Sequence, residues 1–449
     1  MKSFVEPSSF LLIGATDNPA KPQYYLIDNL LNAGFTGDIY MVNPRLREIL
    51  GRKVYADVAD LPGPAELAMI VIPGPAVPET VAACGRKGIR SVIIGSGGFS
   101  EIGPGGQVLL EETLAVARRF GIRIMGPNSI GVTNPRHRFT TAFIDARMPR
   151  PGPVSFVAQT GAIGGHLLHW LDSIAKTICL GNRSDVDADE ALSFLADDPD
   201  TGVIGVHSEG FRRPAEFVRA VKKCTAAGKP VVFLKAGQSD QGAMIASSHT
   251  GAMMAGQQML LVAARQAGAV LVDGFEDLFD TVKVVAADAG AGRSFGLALV
   301  SFSGAALVTG GDVCAGLGLP IASAQAKGTA VPGKALYDMG VWAGDMIFDE
   351  VCHSMVRNAL SQPEVSHGLV YLFPTPKICN FDPIPTFSRL RDEFPDKTIL
   401  PCIFGHRELA ARWVDALEDE GFFCMTNMER ALRALARHRD WRRRAERSS

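Results

Sequence analysis

From one end to the other, this chain alternates short apolar, β-prone runs with longer helical patterns. That alternation constrains the fold more than any other feature. Two successive strands can lie parallel only if a crossover carries the chain back, and the usual crossover is a helix laid on the sheet face. In a first block the runs are Ser9–Gly14, Asp38–Val42, Leu67–Ile72, Ser91–Gly95 and Arg123–Met125, each short and followed by turn residues. A second block holds Val154–Ala158, Ile178–Leu180, Val203–His207, Pro230–Leu234 and Ala269–Val272. The third holds Gly296–Ser301, Leu369–Phe373, Thr398–Ile403 and Phe422–Met425. The stretch Arg147-Met148-Pro149-Arg150-Pro151-Gly152-Pro153 reads as a linker, and Gly290-Ala291-Gly292-Arg293 as a second boundary. A length of 449 residues suits three such domains. Their expected bounds are 1–147, 153–290 and 293–449. Residues 325–350 carry no clear pattern. The basic tail Ala431–Arg447 reads as a terminal helix in solvent, with docking to another chain as the alternative.

Charge and cysteine content narrow the class. A net charge of -2 gives no electrostatic reason to expect nucleic acid or a membrane surface. The eight cysteines are scattered and form no C-x-x-C pair, so no zinc site, metal centre or disulfide framework is expected. The N-terminus lacks a signal-peptide core, and no apolar run approaches a membrane span. A cytoplasmic protein with reduced thiols is the expectation.

The strand ends carry the chemistry. The first run closes on Gly14-Ala15-Thr16, a turn whose backbone N–H groups can hold a phosphate, or which is simply a tight strand–helix turn. The second closes on Asn43-Pro44-Arg45. A dinucleotide site usually has an acidic residue there for the ribose diol. A cation suits a ribose phosphate instead, which points to coenzyme A or NADP over NAD. Small residues at the next two strand ends, around Pro73 and at Gly95-Ser96, leave room for an extended ligand or are simply tight turns, and Gly126-Pro127-Asn128-Ser129 follows. In the second block, Gln159-Thr160-Gly161-Ala162 opens a helix, and a helix N-terminus attracts anions. His249 stands in a loop of small residues, Ala246-Ser247-Ser248-His249-Thr250-Gly251-Ala252; histidine can accept a transferable group and a loop of this kind can carry it, or this is a surface loop with an incidental histidine. Glu209, at the end of the run Val203–His207, can accept an imidazole N–H and fix the tautomer, or be an ordinary surface carboxylate.

Taken together, these motifs resemble the NDP-forming acyl-CoA synthetases, the superfamily of succinyl-CoA synthetase. The resemblance covers roughly residues 8–285. It rests on Gly14-Ala15-Thr16, Val42-Asn43-Pro44, Gly126-Pro127-Asn128, Gln159-Thr160-Gly161-Ala162, Asn182-Arg183-Ser184-Asp185-Val186-Asp187, Leu195-Ala196-Asp197-Asp198-Pro199 and Ser247-Ser248-His249-Thr250-Gly251-Ala252. It implies an α/β protein with a Rossmann-like CoA-binding domain followed by two flavodoxin-like domains, the last matched only loosely. It further implies that His249 is phosphorylated with Glu209 supporting it. CoA would lie against Gly14, Ala15, Thr16, Asn43, Arg45, Pro73, Gly95, Ser96 and Asn128, and phosphate against Thr160, Gly161, Ala162, Ser303 and Gly304. The family's nucleotide and magnesium belong to an ATP-grasp module with no counterpart in this sequence. An ATP-grasp β-type partner chain, a small carboxylic acid substrate and a homo- or hetero-oligomer are therefore expected. A catalytically reduced CoA-binding regulatory or scaffold protein is the alternative reading, and an NADP-dependent oxidoreductase a more distant one.

Overall fold

The five strand runs of the first block do pair side by side, and all in one direction. In this computed structural model, which describes residues 1–242, 244–245, 257–288, 294–325, 329–342, 347–377 and 379–448, they are β1 (Ser9–Ile13), β2 (Asp38–Val42), β5 (Leu67–Ile70), β6 (Ser91–Ile94) and β7 (Arg123–Met125). Between β2 and β5 a small antiparallel hairpin, β3 (Glu48–Ile49) and β4 (Arg52–Lys53), turns through Leu50 and Gly51, both at positive φ. The parallel sheet runs β2-β1-β5-β6-β7. Successive side chains of a strand point to opposite faces. Phe10 and Leu12 of β1 therefore enter one core, and Leu11 and Ile13 the other.

The chain then adds β8 (Gly131–Asn134), β9 (Phe139–Thr140), β10 (Arg150–Ala158), β11 (Ser173–Cys179), β12 (Val203–Ser208), β13 (Val231–Lys235) and β14 (Val270–Val272). The second sheet is ordered β14-β13-β12-β10-β11-β8-β9. The five strands from β14 to β11 are parallel, while β8 and β9 close the other edge antiparallel. The sequence reading missed β8 and β9. They are short and rich in polar residues, and pairing with β11 makes them strands. The hydroxyls of Thr133 and Thr140 meet across the pair at 2.8 Å. The expected linker at 147–153 needs correcting too, since β10 begins at Arg150. Both sheets belong to one compact unit, Met1–Asp273.

The second unit, Gly274–Ser449, is built on β15 (Leu297–Ser301), β16 (Leu336–Asp338), β17 (His367–Leu372) and β18 (Thr398–Ile403), in the order β16-β15-β17-β18 and all parallel. The expected strand at Phe422–Met425 reduces to one parallel bridge, Cys402 to Met425. The basic tail is not a solvated helix. It lies within the helix Met428–Ser448, whose Ala431, Leu432, Ala434 and Leu435 are fully buried against Leu297, Leu299 and Leu369. Two of its arginines pair with acids of the helix Phe275–Ala286, Arg430 with Asp280 and Arg437 with Asp277. No helix among the described residues is long and apolar enough to cross a membrane.

Candidate active site

All three sheets are wound alike. Counting only parallel strands, the first strand of each has the second on one side and the third on the other. The connections leave in opposite directions at that point, so a crevice opens at the strands' carboxyl ends. In the first sheet the crevice lies between β1 and β5. The chain leaves β1 through Gly14 at φ 95°; a Cβ there would lie 2.2 Å from the Val71 carbonyl oxygen, so only glycine fits. Asn43 donates its amide to the Ala15 carbonyl (2.7 Å) and accepts the backbone N–H of Arg45 (2.8 Å). Ser96 donates to the Ile72 carbonyl (2.6 Å) and accepts the Ile72 N–H (3.0 Å). Asn43 and Ser96 thus build the crevice walls with their side chains. Thr16, half-buried, and Arg45 and Pro73, exposed, stand at the same edge, as does Gly95.

The second sheet's crevice, between β10 and β12, holds a cavity of about 330 Å³. Its lining brings together four of the expected residues, Asn128, Thr160, Gly161 and Glu209, with Gln159 and Asn182 among the others. The helix Gly161–Trp170 starts at this point and turns its N-terminal end, the end that attracts anions, to the strand ends. Gln159 is buried and ties the two strand ends together. Its Oε1 accepts the Glu209 N–H (2.8 Å), and its amide nitrogen lies 3.5 Å from the Glu209 carboxylate.

The far wall is a seam between the two sheets of this unit. Gly181 stands at φ 58°, and a Cβ there would come within 2.2 Å of the Pro127 carbonyl oxygen. That close approach lets Asn182 N–H reach Pro127 O (2.8 Å) and Ser184 N–H reach Gly126 O (3.1 Å). Asn128 is held from the other side, its N–H on the Ser96 carbonyl at 3.0 Å. Asn182 also donates to Glu101 (2.8 Å). Burial would push the Glu101 carboxyl up, but backbone N–H groups, Gly98 among them at 2.7 Å, and Asn182 hold it below its usual value. Gln159 and Asn182 stood inside motifs already noted in the sequence without being assigned a role. Phe143 and Ile144, which also line the cavity, left no sequence signal.

His249 lies outside the described residues, as does the side chain of Ala162. Ser303 and Gly304 sit in the second unit at the end of β15, where the Ser303 hydroxyl caps the helix Gly304–Gly316 by accepting Ala306 N–H (3.3 Å). Among the described residues, one group has metal-ligand chemistry, Asp288 with His367 and His438. Its carboxylate is already engaged by His438 Nε2 (2.7 Å), the Thr398 hydroxyl (3.1 Å) and Arg442 (3.5 Å). A guanidinium on the same carboxylate makes this a buried polar network within the second unit, not an open metal centre.

Two family models match most of this site-bearing unit: a CoA binding domain matches residues 8–135, and a succinyl-CoA ligase like flavodoxin domain matches residues 151–285. The chain belongs to the NDP-forming acyl-CoA synthetases of the succinyl-CoA synthetase family. The ADP-forming acetate–CoA ligase II of Archaeoglobus fulgidus is 29% identical over 97% of this chain, which spans 66% of that relative's length. Subunit alpha of the ADP-forming acetate–CoA ligase I of Pyrococcus furiosus is 28% identical, with 98% of this chain and 97% of that one covered. In structure, the dinucleotide-forming acetyl-coenzyme A synthetase 1 of Candidatus Korarchaeum cryptofilum, solved with phosphate and ADP, matches with a TM-score of 0.85 at 26% identity, covering 100% of this chain and 98% of that one. Among acyl-CoA synthetases of this family, then, the chain carries the CoA-binding and ligase modules in order, with the cavity at the switch point of the second.

Proposed function

We propose that this chain is the CoA-binding, phosphohistidine-carrying component of an acid–CoA ligase that works with an ATP-grasp partner. The observation that supports this most is the shared cavity: a carboxylate, Glu209, faces a helix N-terminus, Thr160–Gly161, across a switch-point crevice. In the direction of NTP synthesis, phosphate displaces CoA from an acyl-CoA, giving an acyl phosphate and free CoA. The His249 imidazole then attacks the phosphorus, the P–O bond to the acyl group breaks, and the acid leaves. Phosphohistidine finally gives its phosphoryl group to an NDP on the partner and returns as free histidine. Glu209 receives one imidazole N–H, which leaves the other nitrogen to attack and stabilises the developing imidazolium. The Thr160–Gly161 turn holds the phosphoryl oxygens. CoA lies along the first sheet's edge from Gly14–Thr16 to Asn128, with Arg45 on a phosphate. Magnesium enters with the partner's nucleotide. The substrate is a small carboxylic acid, and acetate is the first to try because the relatives above are named for it.

Incubated with acetyl-CoA and labelled phosphate, the protein should gain an acid-labile, alkali-stable phosphoryl group. His249→Asn should lose that group and still bind CoA; label persisting in this variant would refute the assignment. Glu209→Gln should slow labelling by about ten- to ten-thousandfold. The protein alone should make no thioester from NTP, acetate and CoA, and an ATP-grasp chain should restore it. Ligase activity from this chain alone would overturn the partner requirement.

A further inference from the structure

The loop that presents Glu209 is held by two buried cations that the reaction outlined above does not use. Lys235 ends β13 and lies beside Ser208 of β12 in register. It is 2% exposed, on a strand whose other residues are apolar. Its ammonium donates to the carbonyl of Glu209 at 2.8 Å and to that of Ala236 at 2.5 Å. Arg183, 3% exposed and reached through the turn after β11, donates to the next carbonyl, Gly210, at 2.6 Å. The Ser208 hydroxyl donates to the same Gly210 oxygen (2.5 Å), and Gln159 accepts the Glu209 N–H. With Gly210 N–H on the Ser208 hydroxyl (3.3 Å), each polar main-chain group from Glu209 N to Gly210 O has a partner, and the Glu209 side chain lines the cavity.

Burying an ammonium is costly, and holding a turn does not require one, since neutral donors meet carbonyls elsewhere in this fold. What a cation adds is a charge-assisted, shorter and stiffer bond, and a fixed positive charge behind a carboxylate. We infer that Lys235, seconded by Arg183, is a positioning residue for Glu209: it fixes the 208–210 turn so that the carboxylate stands at the place in the cavity where it can support phosphoryl transfer. The consequence for transfer rests on the function proposed above; the clamp itself does not.

The charged and titratable groups acting on Lys235 are Glu209 and Arg183, with His207 of β12 close enough to feel both cations. Burial first, then Lys235 and Arg183, push the His207 imidazole down to about 4, so it stays neutral. Burial lowers the Lys235 ammonium to about 8, with Glu209 opposing and Arg183 adding to the effect. The clamp should then fade on the alkaline side of neutrality. Arginine in its place would keep its charge there.

The test compares wild type, Lys235→Met and Lys235→Arg. Hydrogen exchange of a fragment spanning residues 204–213 reads the clamp without any chemistry. Lys235→Met should raise its exchange rate by about tenfold or more while fragments from β1 and β5 keep theirs. Labelling of His249 by acetyl-CoA and phosphate reads the consequence. It should fall about ten- to hundredfold in Lys235→Met, recover in part in Lys235→Arg, and leave CoA affinity unchanged in both. Between pH 7 and pH 9.5 the wild-type labelling rate should drop with a midpoint near 8, and the Lys235→Arg rate should not. Unchanged exchange at 204–213 in Lys235→Met overturns the clamp. Intact exchange protection with slowed labelling would make Lys235 act by some route other than positioning. Equal loss of CoA affinity would make it a general structural residue. If Lys235→Met does not fold, the pH profiles of wild type and Lys235→Arg decide, and identical profiles sink the proposal. If the wild type takes no label, the functional reading fails while the exchange result still judges the clamp.

Discussion

Single residues divide here into those that meet a ligand and those that hold the ones that do. Asn43 and Ser96, expected at the ligand, spend their hydrogen bonds on backbone. Arg45 is exposed at the same edge, with only its backbone N–H engaged by Asn43 in this turn. If its guanidinium meets the 3′-phosphate of CoA, Arg45→Ala should weaken CoA by about ten- to hundredfold and 3′-dephospho-CoA hardly at all, as calorimetry would show. Equal losses would place Arg45 elsewhere on the ligand. The sequence disclosed Glu209, Thr160 and Gly161 because the chemistry of a strand end depends on residue type. It could not disclose that Gln159 would tie two strand ends together. That role depends on β10 and β12 being neighbours, although fifty residues separate Gln159 from Glu209.

Among elements, the C-terminal helix departs furthest from its sequence reading. Its arginine count suggested solvent, but its apolar positions fall on one side and complete a core. The Asp288 network pins it. Donors from His367 and His438 hold the Asp288 carboxyl well below the usual range although burial opposes them, and burial pushes the His367 imidazole down. Both shifts have the same sign for stability. A depressed carboxyl stabilises the fold above the unfolded value of about 4 and loses that contribution as the pH falls. A depressed imidazole binds its proton more readily in the unfolded chain, so stability also falls as the pH drops below about 6.5. Urea unfolding should therefore shift to lower midpoints from pH 6.5 downward, read by tryptophan fluorescence in a variant that keeps only Trp441, which stacks on His438. Asp288→Asn should cost about 3–5 kcal/mol at pH 7, since it leaves Arg442 buried beside a neutral group. A loss below about 1 kcal/mol would show that the network is incidental.

For the whole molecule, the alternation of strand and helix disclosed the parallel sheets, because laying successive strands parallel needs a crossover whatever the side chains are. The antiparallel edge β8–β9 escaped notice because its strands owe their form to a partner forty residues further on. That edge has a practical consequence for anyone wishing to separate the CoA-binding portion from the rest. A cut at the Pro-rich stretch near residue 147 would carry β8 and β9 away with the wrong half. The first fragment would keep two strands with no sheet to join. The second would present β11 as a bare edge, open to pairing with other copies of itself. Fragments 1–147 and 148–285 made separately should each self-associate by light scattering, and mixing them should restore a soluble heterodimer. Two well-behaved monomers would mean that the shared edge is dispensable. If the edge is needed, the modules of this chain are not freely exchangeable parts: shuffling them would require moving the boundary upstream of Gly131, into the turn that already forms the cavity wall.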